Sequence, residues 1–286
     1  MHMDYKFAVV GGDMRQIKMA EHLETLGYVV SLCGFDGQCS EIKIGTDIVT
    51  AIKDADVVVL GLPASTDKTS VNTPFYGKKI YIDDLLAYMK RGALLCGGMI
   101  CDAISTKAKK RGVRCTDYFE REELAVLNAI PTAEGAIQIA MEEIPITLHG
   151  AKALVVGYGR IGKILARMLR GIGACVTCSA RACSDIAWIE ADGHTPVKTA
   201  DIAHIIGQYD IVFNTVPYPV IGKEQLRALS AETLIIDLAS KPGGVDFELA
   251  KDLGINVIWA LSIPGKVAPI SSGKIIASTI LNILNS

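Results

Sequence analysis

Short apolar runs alternate along this chain with segments whose apolar residues recur every three or four positions. The clearest case is the run at 153–157, Ala-Leu-Val-Val-Gly. After it Ile161, Ile164, Leu165, Met168, Leu169 and Ile172 mark one apolar helix face, which Gly171 and Gly173 bring to a stop. Strand-like runs follow at 174–178, 210–214, 233–237 and 256–259, with helix-like segments at 184–191, 223–229 and 246–253 between them. The first half repeats this plan more loosely. A run at 5–10 leads into Gly11-Gly12 and a helical pattern at 14–26. The stretch from Asp56 to Pro63 parallels the one from Asp210 to Pro217, and 92–96 resembles 233–237.

Regular strand and helix alternation implies parallel, doubly wound sheets. The pattern therefore predicts an α/β protein of two Rossmann-like domains with a cleft between them. Duplication and convergence of two similar sheets predict the same architecture. The boundaries read as 1–149 for an N-terminal substrate domain and 150–270 for a C-terminal dinucleotide-binding domain. A last helix, about 271–286, has an apolar stripe that must pack on something, and the first domain is the candidate. At the joint, Thr132 can cap a helix over 133–143 that Pro145 interrupts.

Composition narrows the class. At 286 residues, each domain is large enough to bury its own core. Half the residues are hydrophobic and 21% are charged, which suits a packed protein with apolar surface left for a partner or a second copy. A net charge of -2 gives no general attraction to nucleic acid or to an anionic membrane. No stretch reaches the roughly 20 apolar residues that span a bilayer, no secretory leader is expected, and Met1-His2-Met3 reads as an expression scar. Eight cysteines in such a chain read as free thiols in a reducing cytoplasm. Cys175 and Cys178 lie three apart on a strand, so they face opposite ways and do not share a metal ion with Cys183.

The sharpest motif is Gly157-Tyr158-Gly159-Arg160-Ile161-Gly162, which follows a strand and opens an amphipathic helix. Gly157 permits the turn, Gly159 lets backbone approach a pyrophosphate, and Gly162 lets helix and strand close together. The helix N-terminus offers N–H groups and partial positive charge, to which Arg160 adds. At the end of the next strand, 22 positions after Gly157 (179 − 157), stands Ser179 rather than the usual acid that holds a ribose hydroxyl. Ser179 can donate to a 2′-phosphate and Arg181 can add a charge-assisted contact, unless it points into solvent. This favours NADP over NAD as cofactor. Asn214, Thr215 and Pro217, at another strand end, sit where nicotinamide or its ribose would pass, or simply form a turn. The first-domain loop Gly11-Gly12-Asp13-Met14-Arg15-Gln16 lacks the fingerprint, and Asp13 would oppose a phosphate. Arg15 reads either as a clamp for a substrate carboxylate or as a surface residue.

A dinucleotide domain beside a second domain suggests hydride transfer. The fold resembles that of 2-hydroxyacid dehydrogenases and adenosylhomocysteine hydrolases. The dehydrogenases place an acid/base His after a late Pro, but here the region reads Ile263-Pro-Gly-Lys-Val-Ala-Pro269. The histidines at 2, 22, 149, 194 and 204 lie outside every motif. Interconversion of alcohol and ketone by the usual His is therefore not expected. Four further segments occur in order: 11–16, Asn128-Ala-Ile-Pro-Thr-Ala-Glu-Gly135, Asn214-Thr-Val-Pro217, and Asp237-Leu-Ala-Ser-Lys-Pro-Gly-Gly-Val-Asp246 with the 264–269 stretch after it. Over nearly the whole chain, this set closely resembles the A subunits of dipicolinate synthases from spore-forming bacteria.

The resemblance implies oxidation of a dihydrodipicolinate-type ring, formed from 4-hydroxy-tetrahydrodipicolinate, to pyridine-2,6-dicarboxylate. It implies a partner, a flavoprotein-like B subunit, and a place in the mother cell during sporulation; self-association is expected from the apolar composition instead. A substrate with two carboxylates needs cations and donors, for which Arg15, Thr132, Ser240, Asn214 and Lys241 are the candidates. Glu134 or Asp237 could take the proton if burial tunes it. Glu134 also reads as an exposed first-turn acid favoured by the helix dipole, and Asp237 as a structural residue at a strand end. Two other readings stay open: a dehydrogenase of another cyclic imino or hydroxy acid, and a non-catalytic nucleotide sensor that regulates its partner.

Overall fold

The computed structural model describes residues 5–38, 40–42, 44–45 and 47–286. The reading of residues 1–3 as a scar, and Cys39 among the thiols, fall outside the described residues. Compactness divides the chain into two units, residues 1–128 with 268–286, and residues 129–267.

In the first unit the strands are β1 (Lys6–Val10), β2 (Val29–Cys33), β3 (Ile44–Gly45), β4 (Val57–Leu60), β5 (Leu94–Gly97) and β6 (Arg114–Asp117). They pair in parallel in the order β3-β2-β1-β4-β5-β6. The helices are α1 (Met14–Thr25), α2 (Ile48–Asp54), α3 (Ile82–Tyr88) and α4 (Asp102–Lys110). Central strands β1 and β4 are buried on both faces, so they read as unbroken apolar runs.

A 22-residue helix, α5 (Glu122–Glu143), leads out of this unit. Thr132 is therefore an interior residue and not an N-cap, and Pro131 lies inside the helix. The helix continues past the proline because both its ends are anchored. Leu124 is buried in the first unit's core, and Ala133, Ala136, Ile137 and Ala140 are buried in the second's. By length and composition α5 could cross a membrane, contrary to the sequence reading, yet half of its most apolar window is buried inside the protein.

The second unit repeats the first. Its strands are β7 (Lys152–Val156), β8 (Cys175–Ala180), β9 (Thr195–Lys198), β10 (Ile211–Asn214), β11 (Leu234–Asp237) and β12 (Asn256–Trp259), in the order β12-β11-β10-β7-β8-β9. Counted from each unit's own first strand, both sheets have the order 3-2-1-4-5-6. The helices are α6 (Arg160–Ile172), α7 (Cys183–Ala191), α8 (Lys223–Ala228), α9 (Phe247–Asp252) and α10 (Ile263–Val267).

The last helix, α11 (Pro269–Asn285), belongs to the first unit and lies on α1. Gly273 makes this possible, since a Cβ there would sit 2.7 Å from Met19 N and 2.8 Å from Arg15 O. Ile276, Ala277 and Ile280 then join Met19, Ala20 and Leu23 in one core. Each buried isoleucine contributes on the order of 1.5–3 kcal/mol.

Candidate functional site

The glycine loop of the second unit joins β7 to α6. Gly157 has φ +95, in the left-handed region, and a Cβ there would lie 2.6 Å from Thr215 Oγ1 and 2.7 Å from Val216 Cγ2. Only glycine meets both demands. A Cβ on Gly162 would fall on the Gly157 carbonyl oxygen, so this glycine sets how closely α6 approaches the loop. Gly159 is different in kind. It is the N-cap of α6 in extended backbone, no side chain caps the helix, and its first turn holds no acid. A Cβ built on Gly159 would meet nothing within 4 Å. Space and uncapped N–H groups thus coincide where a pyrophosphate would dock, so the residues present fit a dinucleotide.

The matching loop of the first unit is filled by its own chain. Asp13 caps α1 and accepts from Arg15 N at 3.0 Å, while Gln16 Oε1 accepts from Asp13 N at 2.9 Å. Gly12 N donates to Asn72 O at 2.8 Å. The Asp13 carboxylate stands where a phosphate would need to approach. Arg15 is neither a surface residue nor an open clamp. It is 5% exposed. Its Nε and Nη2 grip Asp13, at 2.9 and 2.7 Å, and Nη2 also donates to Leu62 O at 3.0 Å.

Several residues of the second unit hold its loops in place. Ser179 pairs in register with Val156 and is fully buried. Its carbonyl and Oγ both accept from Gly157 N, at 3.1 and 3.4 Å. Ser179 therefore supports the glycine turn and does not present itself to a 2′-phosphate. The last residue of β8 is Ala180, so this strand end offers no carboxylate, and the exposed Arg181 follows it. Thr215 Oγ1 donates to Val156 O at 2.9 Å and braces the same turn.

Asp237 and Asn214 form a buried pair between the ends of β11 and β10. Asn214 Nδ2 donates to Asp237 Oδ1 at 2.8 Å and to Val216 O at 3.0 Å, and its Oδ1 accepts from Val216 N at 3.1 Å. Asp237 also accepts from Ala239 N at 3.0 Å and Gly244 N at 2.8 Å. With three donors on two oxygens, the carboxylate fixes the following loop and is not placed to take a substrate proton. Asn214 is likewise withdrawn from both substrate and nicotinamide.

Ser240 and Lys241, on the loop so fixed, are exposed, as are Pro217 and Glu134. Neither Glu134 nor Lys241 makes a side-chain hydrogen bond or ion pair among the described residues. Thr132 is buried within α5.

Comparison with known proteins follows this division. Residues 6–119 match the N-terminal domain of the dipicolinate synthase A subunit. Residues 132–241 match the NAD-binding domain of D-isomer specific 2-hydroxyacid dehydrogenases. The dipicolinate synthase A subunit of Bacillus subtilis (strain 168) is 32% identical over 287 residues, which cover 98% of this chain and 95% of that one. The chain belongs to the family of dipicolinate synthase A subunits. Two crystal structures from this family superpose end to end. That from Bacillus halodurans has TM-score 0.88 at 30% identity, covering 100% of this chain and 99% of that one. That from Bacillus subtilis has TM-score 0.87 at 31% identity, covering 100% and 97%. The transhydrogenase of Sinorhizobium meliloti, at TM-score 0.71 and 18% identity over 97% of this chain and 93% of its own, shares the fold. Fold, glycine loop and family together make this chain an NAD(P)-dependent oxidoreductase.

The cysteines of this family member divide by face. Cys178 is buried on the core side of β8, whereas Cys175 and Cys183 are exposed. Burial pushes the Cys178 thiol up to about 12, with Asp192 adding to the effect. Burial likewise raises Cys96 to about 12 and Cys33 to about 11. The thiolate is the nucleophile, so burial withholds Cys33, Cys96 and Cys178 from a reagent both by access and by ionisation. Iodoacetamide at neutral pH should label Cys175 and Cys183 and leave Cys33, Cys96 and Cys178 intact, as read by peptide mass mapping. Labelling of Cys178 in the folded chain would contradict its place in the core.

Proposed function

We propose that this chain oxidises a dihydrodipicolinate-type ring to pyridine-2,6-dicarboxylate with NADP, working with a flavoprotein-like B subunit. The observation that carries the reading is the uncapped, unobstructed N-terminus of α6 at Gly159, in a chain that aligns end to end with a dipicolinate synthase A subunit. A bound nicotinamide would accept the hydride that leaves the ring carbon. The chain's own part is to hold the dinucleotide, orient the ring and receive a proton. Of the acids considered, Glu134 is the exposed one whose carboxylate no partner holds, so the proton role falls to it. Lys241 and Ser240 are the exposed cation and donor available to a ring carboxylate. Aromatisation supplies much of the driving force, so a strongly activated base is not required. The cytoplasm of the mother cell and assembly with further copies of the chain belong to the same reading.

Turnover is the direct test. The chain is mixed with its B subunit, 4-hydroxy-tetrahydrodipicolinate and NADP, and reduced cofactor and pyridine dicarboxylate are followed together. Equimolar appearance of both supports the reading, and no turnover in any combination of the two proteins refutes it.

The preference for NADP now rests on Arg181, since Ser179 is buried. A charge-assisted contact contributes about 1.5–3 kcal/mol. Arg181→Ala should therefore weaken NADP roughly ten- to hundredfold and leave NAD unchanged, as measured by calorimetric titration. Equal affinities for the two cofactors in the parent chain would remove the preference.

A further inference from the structure

The second unit carries a polar cavity at the end of its sheet opposite the glycine loop. Lys152 and Thr195 open β7 and β9 there, whereas Val156 and Lys198 end the same strands on the glycine-loop side. The cavity measures about 420 Å³, and Lys152, Arg170, Thr177, His194, Thr195 and Gln208 line much of it. None of these residues takes part in the site described above.

Its two cations are not locked in direct ion pairs. Among the described residues neither Lys152 nor Arg170 forms an ion pair with a carboxylate. The oxygens of the neighbouring acids accept from neutral donors instead. Asp210 Oδ2 accepts from the Lys152 backbone N at 2.7 Å, and Asp192 Oδ2 accepts from Tyr158 Oη at 2.6 Å. Arg170 Nη1 donates to Asp192 O at 2.6 Å, which fixes the guanidinium beside His194.

His194 borders the same space, and its ring reports on it. It is 8% exposed, and its Nδ1 is the one buried side-chain nitrogen or oxygen among the described residues without a hydrogen-bond partner. Buried polar atoms are nearly always paired, so an orphan calls for an account. Burial, then the Arg170 charge, hold the imidazole pKa below its ordinary value, with Arg167 adding to this and Asp192 opposing it.

The geometry points to a binding site for a small oxyanion, a carboxylate or a phosphate, seated between Lys152 and Arg170 and bordered by His194. Thr177, Thr195 and Gln208 supply neutral hydrogen-bonding groups around the same space. A ligand bound there would act on the dinucleotide unit from the far end of its sheet. The proposal does not depend on the reaction assigned above.

The full chain, labelled with ¹⁵N-histidine, is titrated with inorganic phosphate and separately with pyridine-2,6-dicarboxylate, at ionic strength held constant with sodium chloride. A saturable shift of the His194 ring signals is expected with at least one of them. Response to phosphate alone assigns the site to phosphorylated ligands, and response to the dicarboxylate alone assigns it to carboxylates. Lys152→Gln and Arg170→Gln should each weaken that binding roughly tenfold or more, as loss of a charge-assisted hydrogen bond does. Both variants should keep the parent's NAD(P) affinity, which reports that the unit remains folded. Absence of a saturable shift with either anion, or affinity unchanged in either variant, would overturn the site.

Discussion

Gly159→Asp should abolish useful dinucleotide binding and leave the melting temperature essentially where it was. The position tolerates a side chain, because its backbone is extended and a Cβ there meets nothing within 4 Å. It is also an N-cap, where Asp is among the preferred residues and exceeds Gly by only a few tenths of a kcal/mol. The carboxylate would cap α6 as Asp13 caps α1, and would set a negative charge and a filled helix terminus against the pyrophosphate. Loss of two contacts of about 1.5–3 kcal/mol each corresponds to a Kd increase of on the order of 100-fold or more. Calorimetric titration with NAD(P), beside scanning calorimetry of the same sample, separates the two effects. A variant that binds as tightly as the parent would show that the phosphates dock elsewhere.

Asp237→Asn is expected to fail in the opposite way, through the fold. The carboxylate accepts from Asn214, Ala239 and Gly244, all in a buried setting. An amide of the same shape has one accepting oxygen, so an NH₂ group is turned toward a donor. Weakening a charge-assisted bond and stranding a buried donor together cost about 3 kcal/mol. For a chain of this size that lowers Tm by roughly 6–12 °C. Thermal and urea melts measure it. A variant with the parent's stability and no turnover would return Asp237 to the role of proton acceptor.

The sequence conveyed the central strands of each unit better than the outer ones for a physical reason. β7, β10 and β11 are buried on both faces, so each shows as an apolar run. β2, β6 and β9 carry exposed or half-buried residues, and β9 reads Thr-Pro-Val-Lys, which no periodicity marks as a strand. Pro131 and Thr132 imitate a helix start, and only the burial of Leu124 on one side and Ala133 on the other shows why α5 runs through them.

At the site, spacing located the glycine loop but not the direction of side chains. Counting 22 positions from Gly157 reached Ser179, yet the β7–β8 register turns that residue under the loop. Arg15 and Asp237 were legible as charged residues near strand ends. That their charges are satisfied inside the unit, by Asp13 in one case and by Asn214 and two amides in the other, depends on loop conformations that no pattern encodes.

The place of α11 has a consequence for synthesis on the ribosome. In chain order the second unit, residues 129–267, stands between the two parts of the first, residues 1–128 and 268–286. Met19, Ala20 and Leu23 on α1 are made early, but Ile276 and Ile280, which cover them, emerge only after the whole nucleotide-binding unit. The unit begun first therefore waits for α11 until the inserted unit has been synthesised.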